Sequence, residues 1–530
     1  MSHPNVNPGA YLVGGGVASL AAAVYLVRDG QFPGRNVHVL EEAALGGSLD
    51  AAGSPEQGYS MRGTRMFGPA YVLTYELLNG IPSLDDPGKS VTQDTLDFWK
   101  QSPWHCRARL VEDGRIVDAT DFGLANRDRA DLVKLMLQRE DMLEARRIDE
   151  CFQPYFFGTN FWILWASMFG FETWHSAAEL RRYLLRFLRL FPDLPTLNLI
   201  QSTRYNGHDS IVRPMLRWLE ERGVRFETGV KVTDLDFEPT QDQRQAVRRI
   251  HALRHGTPTT LEVAADDLVI VTLGAMTADA SRGSMHSAPA PAPVAERRSG
   301  AWALWERLAA KDPAFGRPAA FCGDIKQTQW VTFTVTHADT RFFERMEAFS
   351  GSPAGQGGLV TLKGSSWGLT FHLYHSPVFA QQPPSVCVWW GYGLFAGRQG
   401  DFVKKSMPQC SGEEILLELF SHLGWQRDAE ALLAGAHCVP CLLPYTTSQF
   451  MPRASGDRPA VVPAGSANLA FVGQYCEIPD NVVFTVEYSV HSAALAVATL
   501  LGAPQAVPPA YLGLEHPNAL VGALRRILAE

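Results

Sequence analysis

The chain begins with a change of hydrophobic period. Ala10–Val13 is a short apolar run, Gly14, Gly15 and Gly16 follow it, and Leu20–Val27 is an unbroken stretch of good helix formers. Asn36–Leu40 returns to a strand-like run that ends in Glu41 and Glu42. This pattern predicts strand, glycine turn, helix and second strand in close succession. Gly14 and Gly16 suit a tight turn and a close backbone approach, and Ser19 is a small residue where a third glycine is usual. The acids fall where a ribose hydroxyl would need an acceptor. A glycine-rich turn alone is weak evidence. With its strand, helix and acid in place it reads as a dinucleotide site, the alternative being a purely structural turn.

Two later stretches carry the same signature. Ser210–Arg222 reads as a helix, and strand-like runs at 224–228 and 229–233 follow it. Asp266–Thr272 is then a buried strand ending in Leu273 and Gly274. Near the end, Asn468–Gly473 is another strand, followed by Asn481–His491 and an alanine-rich helix to Leu501. Three separated pieces of one nucleotide domain favour FAD over NAD, and no second glycine-rich unit marks a nicotinamide site. The expected fold is α/β, with a Rossmann-like FAD-binding domain assembled from segments 1–65, 200–285 and 455–503. An α+β substrate region takes 66–199 and 300–454, and 504–530 is a short helical C-terminal part. The stretch 283–299, rich in Pro and Ala, reads as an exposed loop. Expected cofactor contacts are Gly14, Gly16, Ser19, Glu41, Glu42, Ser48, Arg62, Arg65, Val232, Thr272, Gly274, Asn481 and Phe484.

Composition narrows the function. The 530 residues include 47 Lys and Arg against 55 Asp and Glu, a net charge of −8. Such a balance argues against a nucleic-acid binder, which needs an excess of cations. Eight scattered cysteines are not a disulfide framework and fit a reducing compartment. The first ten residues show no secretory signal. The most apolar stretch, 156–171, is interrupted by Thr159, Asn160 and Ser167, which argues against a membrane span. A cytoplasmic protein is expected. The 55 aromatic residues, 13 Trp, 14 Tyr and 28 Phe, are left to be explained.

Four local motifs matter. Cys438 and Cys441 form a CxxC, but Pro440 and Pro444 make the segment irregular, unlike the helix N-terminus that activates a thiol. The histidines are dispersed, and no metal site is expected. Arg182, Arg186 and Arg189 share one helical face, which reads as a solvated basic stripe or as a patch for transient contact with an anionic membrane surface. Arg62 and Arg65 bracket Gly63 just after the first nucleotide-binding unit, where a cation meets a diphosphate or flavin.

The order of several strings resembles the oleate hydratases, the myosin-cross-reactive-antigen family of FAD-dependent fatty acid hydratases. They are Gly14 to Ala22, Arg28 to Gly30, His38 to Glu42, Gly46 to Asp50, Arg62-Gly63, Ile81 to Leu84, Tyr205-Asn206 with Asp209-Ser210, Pro444 to Phe450, and Asn468 to Val490. The resemblance implies addition of water across the cis-9 double bond of oleic acid or a similar fatty acid to give a 10-hydroxy acid. FAD is required without net redox change, which agrees with the missing nicotinamide site. It implies a tyrosine as proton donor, matched by Tyr205 after Thr203, with a core tyrosine as the alternative. The family's second catalytic residue is the glutamate of an R-G-G-R-E pattern. Here the stretch reads Arg62-Gly63-Thr64-Arg65-Met66, so Met66 stands where that carboxylate belongs.

The resemblance also implies that Thr447, Gln449 and Arg453 hold the fatty acid carboxylate. The stretches 156–171 and 371–390 are apolar sources for an acyl tunnel. The thirteen residues before Gly14 and the short part after Leu501 leave a monomer as well as the homodimer common in the family. Two other readings compete with the hydratase: a flavin-dependent oxidase or desaturase of an apolar substrate, and a non-catalytic FAD and lipid binder.

Overall fold

A computed structural model describes residues 8–291 and 300–528. Part of the 283–299 loop, residues 292–299, lies outside the described residues. A five-stranded parallel sheet is built from β1 (Ala10–Val13), β2 (Val37–Glu41), β3 (Arg225–Thr228), β4 (Leu268–Thr272) and β5 (Leu469–Val472), in the order β5-β4-β1-β2-β3. Strands buried on both faces carry continuous apolar runs rather than alternation. β4 and β5 show this, with Val269, Ile270, Val271 and all four residues of β5 fully enclosed.

Helix α1 (Val17–Arg28) leads out of β1, and every residue from Val17 to Leu26 is buried. A helix apolar all round needs partners on all sides. It packs against α3 (Val486–Leu500) as well as against the sheet. The run Ala21–Ala23 lets these backbones approach closely, since a methyl group is all that separates them.

An eight-stranded mixed sheet forms the second layer, in strand order 281–282, 436–443, 330–337, 387–393, 369–373, 360–362, 110–112, 115–117. The strand Trp330–His337 alternates with period two. Val331, Phe333 and Val335 enter a second core with Trp389, Phe371 and Leu419. On the opposite face, Thr334 Oγ1 accepts from the Met61 N–H at 3.1 Å and Thr336 Oγ1 from the Tyr59 N–H at 2.8 Å. These two threonines join the sheet to the hairpin at 51–61, which follows the nucleotide-binding unit.

Between the sheets lies a helical region whose aromatics interlock. Phe161, Trp165, Phe169 and Phe191 form one chain of ring contacts, and Phe171, Tyr183 and Phe450 another. Most of the aromatic excess of 156–171 is therefore core packing; Met168 and Phe169 line a cavity. Phe371 and Trp389 face the second core instead of a tunnel.

The basic stripe predicted on α2 (Ala177–Arg186) and the turn after it is not solvated. Arg182 is 4% exposed and pairs with Glu140 and Glu477, both at 2.6 Å. Arg186 is 3% exposed and donates to the Tyr511 and Ala70 carbonyls at 2.5 and 3.1 Å. Only Arg189 of the three faces solvent. Helical periodicity found the shared face, but the partners that bury it come from segments 42 to 325 residues away. Among the described residues, no helix is long and apolar enough to cross a membrane.

Candidate active site

A cleft of about 580 Å³ opens at the C-terminal ends of the parallel strands, the usual binding edge of such sheets. Gly14, Gly16, Glu41, Glu42, Ser48, Arg62, Val232, Thr272 and Gly274 line it. The N-terminus of α1 has no side-chain cap and no acid in its first turn, so its N–H groups and positive dipole end are open to an anion. Glu41 accepts from the Gly15 N–H at 2.5 Å and the Ala43 N–H at 2.8 Å, holding the glycine turn against β2. Ser19 bonds Thr272 at 2.9 Å, tying α1 to β4 from beneath the cleft. Gly47 has φ +55°, and a Cβ there would lie 3.1 Å from the Gly16 Cα. The close approach of these two backbones keeps side chains out of the cleft floor. Such a cradle fits a dinucleotide diphosphate.

Four predicted contacts lie elsewhere. Asn481 is buried and bonded to His491 at 3.0 Å, and Phe484 lines a different cavity. Arg65 borders that cavity too, donating to the carbonyls of Thr64 and Ser48 at 2.9 and 3.1 Å. Burial draws its guanidinium down to about 10. Ser19, bonded to Thr272, lies behind the cleft.

Two cavities meet at Thr64 and Arg65. The larger, about 150 Å³, is walled by apolar groups that include Met66, Phe67, Met168, Phe169, Leu190 and Phe484. The smaller, about 30 Å³, is walled by Trp104, Arg204, Tyr205, His372, Tyr374 and His375 among others. Met66 and Tyr205 therefore sit in adjoining cavities rather than facing one another in one. The Tyr205 hydroxyl donates to the Asp85 carboxylate. Desolvation and this bond push the phenol up to about 12, so it stays protonated at neutral pH.

Thr447, Gln449 and Arg453 are all buried. Thr447 Oγ1 donates to the Thr328 carbonyl at 3.3 Å. Gln449 is fully enclosed, and neither its amide N nor its O has a partner, a costly state unless a ligand meets it. Arg453 is already neutralised: its Nε lies 3.0 Å from Glu179, which also takes Arg458 at 2.8 Å. Burial alone would raise the Glu179 carboxyl, but Arg458, Arg453 and Arg182 outweigh it and bring it to about 2. None of these three predicted residues lines the two cavities. The neighbouring Phe450 sets its ring 5.8 Å from that of Phe484, which lines the larger cavity.

Cys438 and Cys441 lie in the strand Ala436–Leu443, three residues apart and so on opposite faces, and both are free thiols. Burial raises both. One group with metal-ligand atoms, Asp401, Glu418 and His422, occurs among the described residues. Its Glu418 accepts three backbone N–H groups of 401–403, so it acts as a clamp for that loop.

The model of the MCRA family matches residues 7–498. The chain belongs to this family. It is 37% identical over 515 residues to an oleate hydratase of Streptococcus pyogenes serotype M49 (strain NZ131), covering 95% of this chain and 86% of that protein. A linoleate hydratase of Lactiplantibacillus plantarum is 30% identical over 537 residues, covering 93% of this chain and 94% of that one. Among solved structures, putrescine oxidase bound to putrescine matches with a TM-score of 0.55 at 12% identity, over 94% of this chain and all of that one. Cyclohexylamine oxidase from Brevibacterium oxydans IH-35A matches with a TM-score of 0.50 at 10% identity, over 93% and 98%. At such identities the likeness concerns the fold.

Asp85 and His375 carry no sequence signal that would have singled them out. Asp85 follows directly on the matched string Ile81–Leu84, but nothing in a loop of acids tells which one meets a tyrosine 120 residues away. His375 lies in a loop with no motif around it.

Proposed function

We propose that this chain is a fatty acid hydratase, a hydro-lyase that adds water to the cis-9 double bond of oleic acid or a similar unsaturated fatty acid to give a 10-hydroxy acid. The observation that carries the reading is the junction at Thr64 and Arg65 of an apolar cavity and a small polar one, together with the kinship to two fatty acid hydratases. An alkene in the first and water in the second are the two reactants.

FAD is the cofactor this reading takes. The N-terminus of α1, Gly14 and Gly16 would hold its diphosphate, Glu42 and Lys231 the adenosine side of the cleft, and Arg62 the flavin side. Bound flavin supplies a polar ring edge able to hold or exchange protons with no net oxidation. Tyr205 is the proton donor: its phenol is loaded at neutral pH, and rotation of the O–H away from Asp85 aims it into the cavity. Positive charge builds on the alkene carbons as the proton arrives, so the transfer is assisted by the enclosed, water-poor wall of the apolar cavity excluding competing reactions. Gln449, with Thr447 beside it, offers the unpartnered amide that would receive the fatty acid carboxylate.

The test is incubation of FAD-loaded protein with oleate in 18O-labelled water. Labelled 10-hydroxystearate is the expected product. Flavin reduction by the substrate without labelled product would favour an oxidase or desaturase, and binding without any product a non-catalytic lipid binder.

A further inference from the structure

Adding water to an alkene needs an acid for one carbon and a base for the attacking water. Met66 cannot be that base, which leaves the water's proton to another group at the site. Such a base is required only if the chain is a hydratase, and its assignment rests on that proposed function.

The small cavity is the place to look. Its volume of about 30 Å³ is the share of one water molecule in the liquid, and polar walls are what such a water needs. It meets the apolar cavity at Thr64 and Arg65, directly before Met66. A base acting across this junction must line the small cavity and have a free lone pair.

Most of the lining groups cannot take the water's proton. Arg65 and Arg204 are cations without an acceptor. Tyr205 is tied to Asp85. His372 has its Nδ1 on the Gly358 carbonyl at 2.7 Å, and burial draws its imidazole down to about 4, which makes it a weak base. His375 differs. Its Nδ1 is buried and has no partner. Phe98 sets its ring edge-on at 5.3 Å. The turn at Gly355 holds its backbone, since a Cβ on that glycine would lie 2.6 Å from the His375 Cβ.

We propose that His375 is the general base that activates the attacking water, replacing the carboxylate that the chain lacks at position 66. The alkene π pair takes a proton from the acid on one carbon, and the water oxygen bonds to the other carbon. The O–H bond of that water breaks and its proton moves to His375, which later returns it to the acid or to solvent. The sum is one water added and no electron lost. The charged groups around the imidazole are Arg204 with its partner Asp94, Tyr205 with Asp85, and Arg65. Burial first, and Arg204 second, hold the imidazole below its ordinary 6.5. It is therefore neutral at physiological pH, as a base must be.

The experiment compares FAD-loaded wild type with His375→Ala and His375→Gln on oleate in 18O-labelled water, across pH. Flavin content and thermal midpoint establish that each variant is folded, and the isosteric His375→Gln carries the test if His375→Ala is not. The expected result is a fall in kcat of about 100-fold or more with KM little changed. The wild type should lose rate as pH falls through a value below 6.5, the variants should lack this acid limb, and added imidazole should restore part of the rate of His375→Ala. Variants within about threefold of the wild-type rate, or an unchanged acid limb without imidazole rescue, would overturn the assignment. A wild type that makes no hydroxy acid overturns the hydratase reading and the assignment with it. An active wild type with an active variant overturns the assignment alone.

Discussion

The phenol of Tyr205 donates a hydrogen bond to the carboxylate of Asp85, 120 residues earlier in the chain. The bond joins the 81–90 loop to the turn that precedes the helical stretch from His208. Burial first, and this bond second, raise the phenol to about 12. A phenol with this partner is fully protonated but gives its proton up reluctantly.

Tyr205→Phe should lower kcat about 100-fold or more while FAD stays bound. Product formation by mass spectrometry checks this, and full activity would reject the acid role.

Asp85→Asn should let the phenol fall back toward its ordinary 10.0 and make it a better acid. Turnover at saturating oleate is expected to hold or rise. A fall of about 100-fold would instead show that Asp85 is part of the proton path.

Glu179 sits among three arginines, and Arg458 beside it is fully enclosed. Glu179→Ala should cost about 3–5 kcal/mol by leaving buried guanidinium groups uncompensated, seen as a lower denaturant midpoint. The pH dependence follows from sign. The folded carboxyl lies at about 2, below the ordinary 4.5, so its contribution is complete above that ordinary value. It is lost as pH falls from there toward about 2. The wild type should lose stability through this window more steeply than the variant.

Gln449 and Arg453 should separate by phenotype. Gln449→Leu removes an amide that has no protein partner, so it should raise the KM for oleate about tenfold with little loss of stability. Arg453→Leu breaks the contact with Glu179 and should lower the thermal midpoint. Equal KM for Gln449→Leu and wild type would remove Gln449 from the carboxylate site.

Gly47→Val should abolish flavin retention. The new Cβ would meet the Gly16 Cα at 3.1 Å in a backbone of φ +55°, which a β-branched residue adopts only with strain. Visible flavin absorbance after gel filtration is the measure; a fully loaded variant would move the cofactor away from this turn.

The parallel-sheet part of the fold was legible because its signals are local. β1, the glycine turn and α1 are adjacent in sequence, and apolar period with glycine placement suffices to mark them. The same is true of β4 and β5, whose continuous apolar runs announce burial on both faces.

The charge state of the arginines was not legible. In sequence Arg182 and Arg186 read as cations on a polar helical face, and Arg453 as a partner for the fatty acid carboxylate. In the structure the first and third are bound to carboxylates and the second to backbone carbonyls. The sequence by itself determined the strands, the helix and the glycine turn at the cleft, because those depend on neighbours along the chain. Only the tertiary structure decided which groups share a cavity: Tyr205 with Asp85 at its side, His375 with its bare Nδ1, and Met66 across the wall. Burial and hydrogen bonding act through distances in space, and in this chain the groups that matter come together from segments more than a hundred residues apart.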